Sequence, residues 1–200
     1  MKESYSSRYL SRRSFLAKAS ASVLALAVGG TKVFAQNTPA WDPNMQLLIN
    51  FEVLAPGSGR YKKPYVAVWI EDSLGFPVRT LLLWVQTGKG NRWIPDLKRW
   101  YRGEQNRKNT YGGDLITAVS SPTRLAGQYS LVWDGLNDAN YYVYQGDYYL
   151  CVESAREHGP YSLIREKISL GTTPFSQTLQ GNQELGGVGI EYRSGGATTV

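Results

Sequence analysis

Apolar and polar residues alternate along most of the chain after residue 44. In the stretch MQLLINFEVL, one face collects Met45, Leu47, Ile49, Phe51 and Val53. The same two-residue period returns in YVAVWIED (65–72), QYSLVW (128–133), DYYLCVES (147–154) and SLIREKISL (162–170). Because successive side chains of a strand point to opposite faces, this period predicts half-buried antiparallel strands.

The segments between these stretches favour tight turns. Asp72–Gly75 suits a hairpin, Asp134-Gly135 lies between two strands, and Asn140 tolerates a left-handed backbone. VRTLLLWVQ, from Val78, is nearly all apolar, which predicts a strand buried on both faces. Six or seven short strands of this kind predict an all-β fold, an Ig-like antiparallel β-sandwich that carries one long insert.

Helices contribute little to this prediction. No sustained helical period is present, and only Asp96–Tyr101, which follows Pro95, is expected to form a short helix. The chain beyond Gly171 is richer in Gly, Thr, Gln and Ser, although Leu185–Tyr192 can add a last strand.

The first 35 residues differ from the rest in composition. A basic segment to Lys18 is followed by the weakly apolar run ASASVLALAVGG, and Val33-Phe34-Ala35 ends in small or compact residues. These three zones are typical of an export signal, and the apolar run is shorter than the ~20 residues that cross a bilayer. We therefore predict a cleavable signal at 1–35 with cleavage after Ala35, a linker at 36–44, the sandwich at 45–193 and a flexible tail at 194–200.

The signal also carries a specific motif. Ser11-Arg12-Arg13-Ser14-Phe15-Leu16 resembles the twin-arginine translocation motif, in which Arg12 and Arg13 would be the paired arginines. The resemblance implies that the protein is exported to the periplasm already folded. Because the apolar run is short and the signal is predicted to be removed, no stable membrane span is expected after cleavage.

Charge is concentrated in the predicted signal. The whole chain has a net charge of +6, but residues 1–35 hold six Lys/Arg and one Glu, which accounts for +5. The remaining 165 residues carry 16 basic and 15 acidic side chains. A globally basic, nucleic-acid-binding protein is therefore excluded.

Cysteine and histidine are too scarce for several kinds of site. Cys151 is the only cysteine and His158 the only histidine, so an internal disulfide and a haem-attachment motif are excluded. A zinc site built within the chain is not expected either. Cys151 lies in the apolar run YYLCV and is predicted to be a small buried residue.

Two resemblances support the fold. Gly127–Gly135, Asn137-Asp138 and Gly146–Tyr148 together resemble the Ig-like repeat of flagellar hook-capping proteins, in which a strand runs into Trp-Asp-Gly and returns through Gly-x-Tyr. In this chain Trp133 would fill the space between the sheets and Gly135 would permit the turn.

A wider resemblance covers most of the chain. Four blocks occur in the order found in the bacterial periplasmic family called domain of unknown function 2271: Val68–Trp84, Arg92–Trp100, Gly127–Gly135 and Gly146–Gly159. The family name carries no established activity. Its members are often encoded near flavin transferases and PepSY-type membrane proteins, which implies a link to extracytoplasmic electron transfer.

That link suggests a candidate FMN acceptor. Flavin transferases attach FMN to a Thr or Ser in a pattern like Asp-x-x-Ser/Thr-Gly-Ala-Thr/Ser, and Thr123 falls at the acceptor position. Three positions depart from the pattern, because Thr117, Ser121 and Pro122 replace the Asp, Gly and Ala. A flavin carrier is therefore an alternative function.

The main candidate surface is the long insert, Thr87–Gly113. Seven of its residues are Lys or Arg against two acids, and aromatic residues are interleaved with them. Guanidinium and indole groups together suit an anionic small ligand or an acidic protein partner. The candidate contacts are Arg92, Trp93, Arg99, Trp100 and Arg102. The alternative is a lid whose tryptophans cover the sandwich and whose charges are solvated.

The second candidate surface surrounds His158 and Glu157. A histidine beside carboxylates can titrate near neutral pH or assist a metal, and a small hydrolase is a further alternative. A surface pair between Arg156 and Glu157 would explain the same residues structurally. Taken together, the sequence predicts a non-catalytic, exported binding or accessory protein with a periplasmic or membrane protein partner or an anionic ligand.

Overall fold

The computed structural model describes residues 38–57 and 62–195 of the chain. In this part, the strands are β1 (Met45–Val53), β2 (Tyr65–Asp72), β3 (Pro77–Trp84), β4 (Ser120–Ser121), β5 (Gly127–Trp133), β6 (Gly146–Ala155), β7 (Tyr161–Leu170), β8 (Phe175–Leu179) and β9 (Leu185–Ser194). A 3-10 helix (Gly88–Asp96) and two α-helices, α1 (Lys98–Tyr111) and α2 (Leu115–Val119), lie between β3 and β4. The strands form two sheets, which confirms the predicted β-sandwich. The predicted signal and the tail beyond residue 195 lie outside the described residues.

The four-stranded sheet has the order β5-β1-β9-β8, with antiparallel neighbours throughout. β1 is paired on both sides, so that Ile49 lies opposite Leu131 of β5 and Ile190 of β9. Its alternate residues from Met45 to Val53 are buried, as the two-residue period predicts. This sheet therefore turns one apolar face toward the second sheet.

The five-stranded sheet has the order β4-β3-β2-β6-β7. It is antiparallel except for the short β4, which pairs with β3 in parallel. Its central strand β2 is buried on both faces, with Val68 packed toward the other sheet and Trp69 packed toward the helices. The helical insert therefore covers the outer face of this sheet.

Aromatic rings fill one end of the space between the sheets. Trp133 contacts Trp41 with ring centroids 5.0 Å apart and donates its indole N–H to the Leu136 carbonyl oxygen at 2.8 Å. Gly135 has φ +80°, and a Cβ there would lie 2.2 Å from the Trp41 ring. The Trp-Asp-Gly turn is thus a packing element, and Trp41 extends the packed part into the segment predicted as a linker.

Five elements differ from the sequence prediction: the 3-10 helix, α1, α2, β4 and β8. The insert forms a 14-residue helix, α1, where only Asp96–Tyr101 was expected to be helical. Its buried positions include Glu104 and Arg107 beside Trp100, so the helix has no apolar stripe to detect. β8 was also missed, because only Phe175 and Leu179 of FSQTL are apolar. Three of its five side chains are nevertheless partly or fully buried.

Candidate functional site

A cleft of about 670 Å³ opens where β2 begins and β3 ends. We call it the basic cleft and define it by Lys62, Lys63, Tyr65, Trp93, Ser121 and Thr123. The cleft brings the FMN-acceptor candidate Thr123 together with Trp93 of the insert and with Glu157. Lys62 and Lys63 were not among the candidate residues predicted from the sequence, because no local motif or charge cluster distinguishes them.

The hydroxyl side of the basic cleft is held by β4. Ser120 and Ser121 pair with Leu83 and Trp84 of β3, and the Val85 amide donates to the Ser121 carbonyl oxygen at 3.0 Å. This pairing fixes the chain just before Thr123, which is half-buried at the wall. The structure thus turns a short Ser/Thr segment into a fixed row of hydrogen-bonding groups.

The aromatic side depends on Tyr65. Its hydroxyl donates to the Gly90 carbonyl oxygen at 2.9 Å, which ties the 3-10 helix to β2. A Cβ on Gly90 would lie 2.5 Å from that hydroxyl, so only glycine permits the approach. Burial raises the pKa of Tyr65, so the phenol stays protonated and can donate. Trp93 is thereby placed at the rim.

Positive charge predominates in the cleft. Lys62 forms an ion pair with Glu157 at 3.0 Å, and its hydrogen bond lowers the pKa of that carboxyl. Lys63 is exposed and has no ion-pair partner among residues 38–57 and 62–195. The Arg92 guanidinium lies 4.9 Å from the centre of the Trp93 ring and adds a further cation at the rim. An anion entering the cleft therefore meets more positive than negative charge.

The His158 candidate adjoins the same rim. Its ring packs edge-on against Trp93 with centroids 4.8 Å apart, in a turn where His158 has φ 55°. Within the described part of the chain, its ring has no hydrogen bond to a hydroxyl or carboxylate, and no group of three His, Cys, Asp or Glu side chains is placed to hold a metal ion. Arg156 does not pair with Glu157 but forms a buried ion pair with Glu184.

The structure removes Trp100 from the predicted contact surface. Trp100 belongs to α1, and its side chain is buried between that helix and the sheet. Its indole N–H donates to the Thr80 hydroxyl at 3.2 Å. Trp100 was predicted to contact a partner, but its ring lies on the inner face of the helix, where it packs against the outer face of the five-stranded sheet. Arg102 is exposed on α1, outside the basic cleft.

Arg99 has an internal partner that the sequence analysis missed. It donates to both carboxylate oxygens of Glu71, from Nε at 2.8 Å and from Nη2 at 2.7 Å. Arg165 donates from Nε to the same carboxylate at 2.9 Å, and the Trp69 indole donates at 3.1 Å. Burial alone would raise the pKa of Glu71, but the two arginines outweigh it and lower the pKa.

Glu153 is the second buried carboxylate under the insert. It is fully buried on β6 and accepts the backbone N–H groups of Arg99 and Trp100, each at 2.8 Å. Helix α1 begins after Leu97, which provides no side-chain cap, so Glu153 caps the helix from a different element. The sequence did contain a signal: the nearest residues on the same strand face are Trp69 for Glu71 and Cys151 and Ala155 for Glu153, all apolar, and a buried charge needs a partner.

Cys151 lies between these carboxylates. It is buried, as predicted. Its thiol is free, fully buried, and has its pKa raised by burial. A thiol in this environment stays protonated and unreactive.

None of the helices in the described part of the chain combines the length and hydropathy needed to cross a bilayer.

The comparisons with known proteins give one match. No curated protein and no solved structure matches the chain, so the likeness to the hook-capping repeat stays a prediction. A family model matches residues 46–187, with the description "Predicted periplasmic protein (DUF2271)". The chain therefore belongs to the DUF2271 family of predicted periplasmic proteins.

Proposed function

We propose that the protein is a non-catalytic periplasmic accessory protein that binds an anionic ligand in the basic cleft. The observation that carries this proposal is the convergence of two lysines, an indole ring and a row of hydroxyl groups in one cleft of about 670 Å³. Its volume lies within the range of ~300–1,000 Å³ that is usual for small-molecule sites.

The groups of the cleft indicate the class of ligand. Lys63 and Arg92 offer charge to a phosphate or carboxylate, and the hydroxyl of Thr123 offers a hydrogen bond to the same anion. Trp93 offers a flat apolar surface for a planar group. A ligand with an anionic end and an aromatic or planar end uses all of these groups at once.

FMN and riboflavin make a matched pair of probes, because they differ in the phosphate. We expect FMN to bind the protein purified from the periplasmic fraction at least fivefold more tightly than riboflavin, and the difference to shrink as salt is added. Flavin fluorescence and tryptophan quenching give the two dissociation constants. Lys63→Gln should weaken FMN binding, while Lys108→Gln, an exposed lysine outside the cleft, should not. Equal affinity for the two flavins would refute anion recognition.

A flavin carrier is the second candidate function. The observation that favours it is the position of Thr123, which lines the same cleft as Trp93. The fit of the acceptor pattern is poor, because Ser121 is fixed by its pairing with β3 and Pro122 follows it. Intact mass distinguishes the candidates: a carrier from cells that contain a flavin transferase is heavier by one FMN, and Thr123→Ala abolishes the increase. An unmodified mass under these conditions rejects the carrier.

The export route belongs to the proposal as well. A sandwich of two sheets that closes before export is consistent with the twin-arginine motif at Arg12-Arg13, and a membrane redox or uptake system is the proposed partner. Replacing both arginines with lysine should leave the precursor in the cytoplasm, as cell fractionation would show. Normal periplasmic levels of the double variant would refute this route.

A further inference from the structure

A second cavity, of about 460 Å³, lies at the start of β3, whereas the basic cleft lies at the end of that strand. Three segments enclose it: the start of β3, the C-terminal half of α1 with the start of α2, and the loop at 137–139. We call it the Asp138 pocket and define it by Phe76, Val78, Arg107, Tyr111, Leu115 and Asp138. Its volume also lies in the range of small-molecule sites.

Asp138 is held rigidly but is only partly satisfied. Its amide donates to the Val78 carbonyl oxygen at 3.0 Å, and its Oδ1 accepts the Thr80 amide at 3.2 Å. Its Oδ2 is buried and has no hydrogen-bond partner in the part of the chain that the structure describes. Since nearly all buried polar atoms in proteins are paired, this oxygen lacks the donor that would offset its burial, and a cation in the adjoining pocket would supply part of that compensation.

The charge balance of the pocket favours a cation. Asp138 and Asp72 both line it, and Arg107 is the lining residue with a positive charge. Arg79 is a further cation close to Asp138, and it donates to the Asn137 carbonyl oxygen at 2.8 Å. Arg107 is already engaged, because it donates to Glu104 at 2.6 Å and 2.8 Å and to the Gly112 carbonyl oxygen at 3.2 Å. The pocket thus presents carboxylates to a ligand and few free donors. Burial raises the pKa of Asp138, and a bound cation would offset that cost of ionisation.

The walls are apolar and aromatic. Phe76 contacts Tyr111 edge-on with ring centroids 5.8 Å apart, and Val78 and Leu115 complete the surface. Aromatic faces attract cations as well as apolar groups. The pocket is also preformed, because α1 crosses β3 closely at Gly103, where a Cβ would lie 2.8 Å from Cγ of Pro77.

From these observations we propose that the Asp138 pocket binds a small organic ammonium ion, with the ammonium attracted to the carboxylates of Asp138 and Asp72 and a compact apolar group lying between Phe76, Val78 and Tyr111. This site is distinct from the basic cleft in position and opposite to it in charge preference.

The test uses two probes of nearly the same shape, 2-phenylethylamine and 2-phenylethanol. We expect the amine to bind at least tenfold more tightly at neutral pH, because its positive charge is attracted to the carboxylates of Asp138 and Asp72, whereas the alcohol is neutral. Asp138→Asn keeps the shape of the side chain and should remove most of the amine's advantage. The matched control is Asp147→Asn, which changes an exposed aspartate on β6 and should leave both affinities unchanged. Calorimetry gives the affinities, and the amide NMR shift of Ala139 reports the site.

Three outcomes would overturn the proposal: no binding of the amine at millimolar concentration, equal binding of amine and alcohol, or full amine affinity in Asp138→Asn. If Asp138→Asn fails to fold, Tyr111→Ala replaces it, since Tyr111 is 74% exposed and can be truncated without opening the core. That variant should weaken amine binding severalfold, and unchanged affinity would reject the site. Lys63→Gln in the basic cleft should not alter amine binding, so this test and the flavin test fail independently.

Discussion

The five-stranded sheet is covered on both faces, but its two interfaces are built from different chemistry. The inner interface, toward the four-stranded sheet, consists of apolar side chains such as Val68, Leu150 and Val152. The outer interface, toward the 3-10 helix and α1, contains Trp69 and Cys151 together with the buried carboxylates of Glu71 and Glu153.

This difference separates stability from orientation. Apolar burial is strong but non-directional, so the inner interface holds the sheets together without selecting one angle by hydrogen bonds. Buried ion pairs contribute little net stability after desolvation, but each accepts only a few geometries. Glu71 and Glu153 both bind the first turn of α1 through Arg99 and Trp100. The outer interface therefore fixes where α1 begins, and α1 in turn forms a wall of the Asp138 pocket.

The largest expected effect compares two tryptophans with similar burial. Trp133 on the inner interface is 1% exposed and Trp100 on the outer interface is 2% exposed, and each indole donates one hydrogen bond. Trp133→Ala should lower the free energy of unfolding by about 3–5 kcal/mol, because it leaves a large cavity between the sheets. Trp100→Ala should cost the sandwich less, because α1 can detach while the sheets stay packed. Urea denaturation followed by far-UV circular dichroism measures both.

The comparison between these variants can fail in one clear way. If Trp100→Ala destabilises the sandwich as much as Trp133→Ala, the insert and the sheets unfold as one unit, and the outer interface is as necessary to the fold as the inner one.

An intermediate effect is expected for the helix cap. Glu153→Gln keeps the shape of the side chain but replaces one acceptor oxygen with an NH₂ group that cannot accept the Arg99 or Trp100 amide. The lost charge-assisted hydrogen bond should destabilise α1 by about 1–3 kcal/mol. Hydrogen exchange should accelerate in α1 while the β1 amides keep their protection. The control, Glu191→Gln on β9, should change neither region, and faster exchange in β1 of the Glu153 variant would contradict local release of the helix.

The sequence predicted the long strands of both sheets, but it predicted neither β4 nor β8 and little of the insert that covers the five-stranded sheet. The alternation of Met45–Val53 and of Tyr148, Leu150 and Val152 has one physical cause, burial of one face, so it was readable without the fold. The extent of helix α1 could not be predicted beyond its start. Its buried residues include the ion pair of Glu104 and Arg107, and charged residues in a sequence normally indicate a solvent-exposed face.

The candidate site shows the same limit. Thr123 was identified from its resemblance to a flavin-acceptor pattern, and Trp93 and Glu157 were identified from local composition. Their meeting in one cleft depends on β4 pairing with β3. Lys62 and Lys63 became candidates only through that geometry. Arg99 was interpreted as a surface contact because its partner, Glu71, lies 28 positions earlier in the chain. Contacts of this kind leave no local pattern to detect.

The smallest and most specific effect is the pH dependence of the two buried carboxylates, which should have opposite signs. Because Arg99 and Arg165 lower the pKa of Glu71, its unfolded form binds more protons, and its contribution to stability is lost as the pH falls below its ordinary value of 4.5 toward the lowered one. Burial raises the pKa of Glu153 despite the two amide hydrogen bonds, so its folded form binds more protons and stability falls as the pH rises through that window above 4.5.

The two variants Glu71→Gln and Glu153→Gln isolate these contributions. Relative to the unsubstituted protein, Glu71→Gln should flatten the loss of stability below pH 4.5, and Glu153→Gln should flatten a decline that begins above pH 4.5. Urea midpoints measured at half-unit steps between pH 3 and pH 8 resolve the two windows. Since both carboxylates bind the same helical turn, slopes of equal sign would mean that they titrate as one coupled unit, and the outer interface would then respond to pH as a whole rather than through two opposed groups.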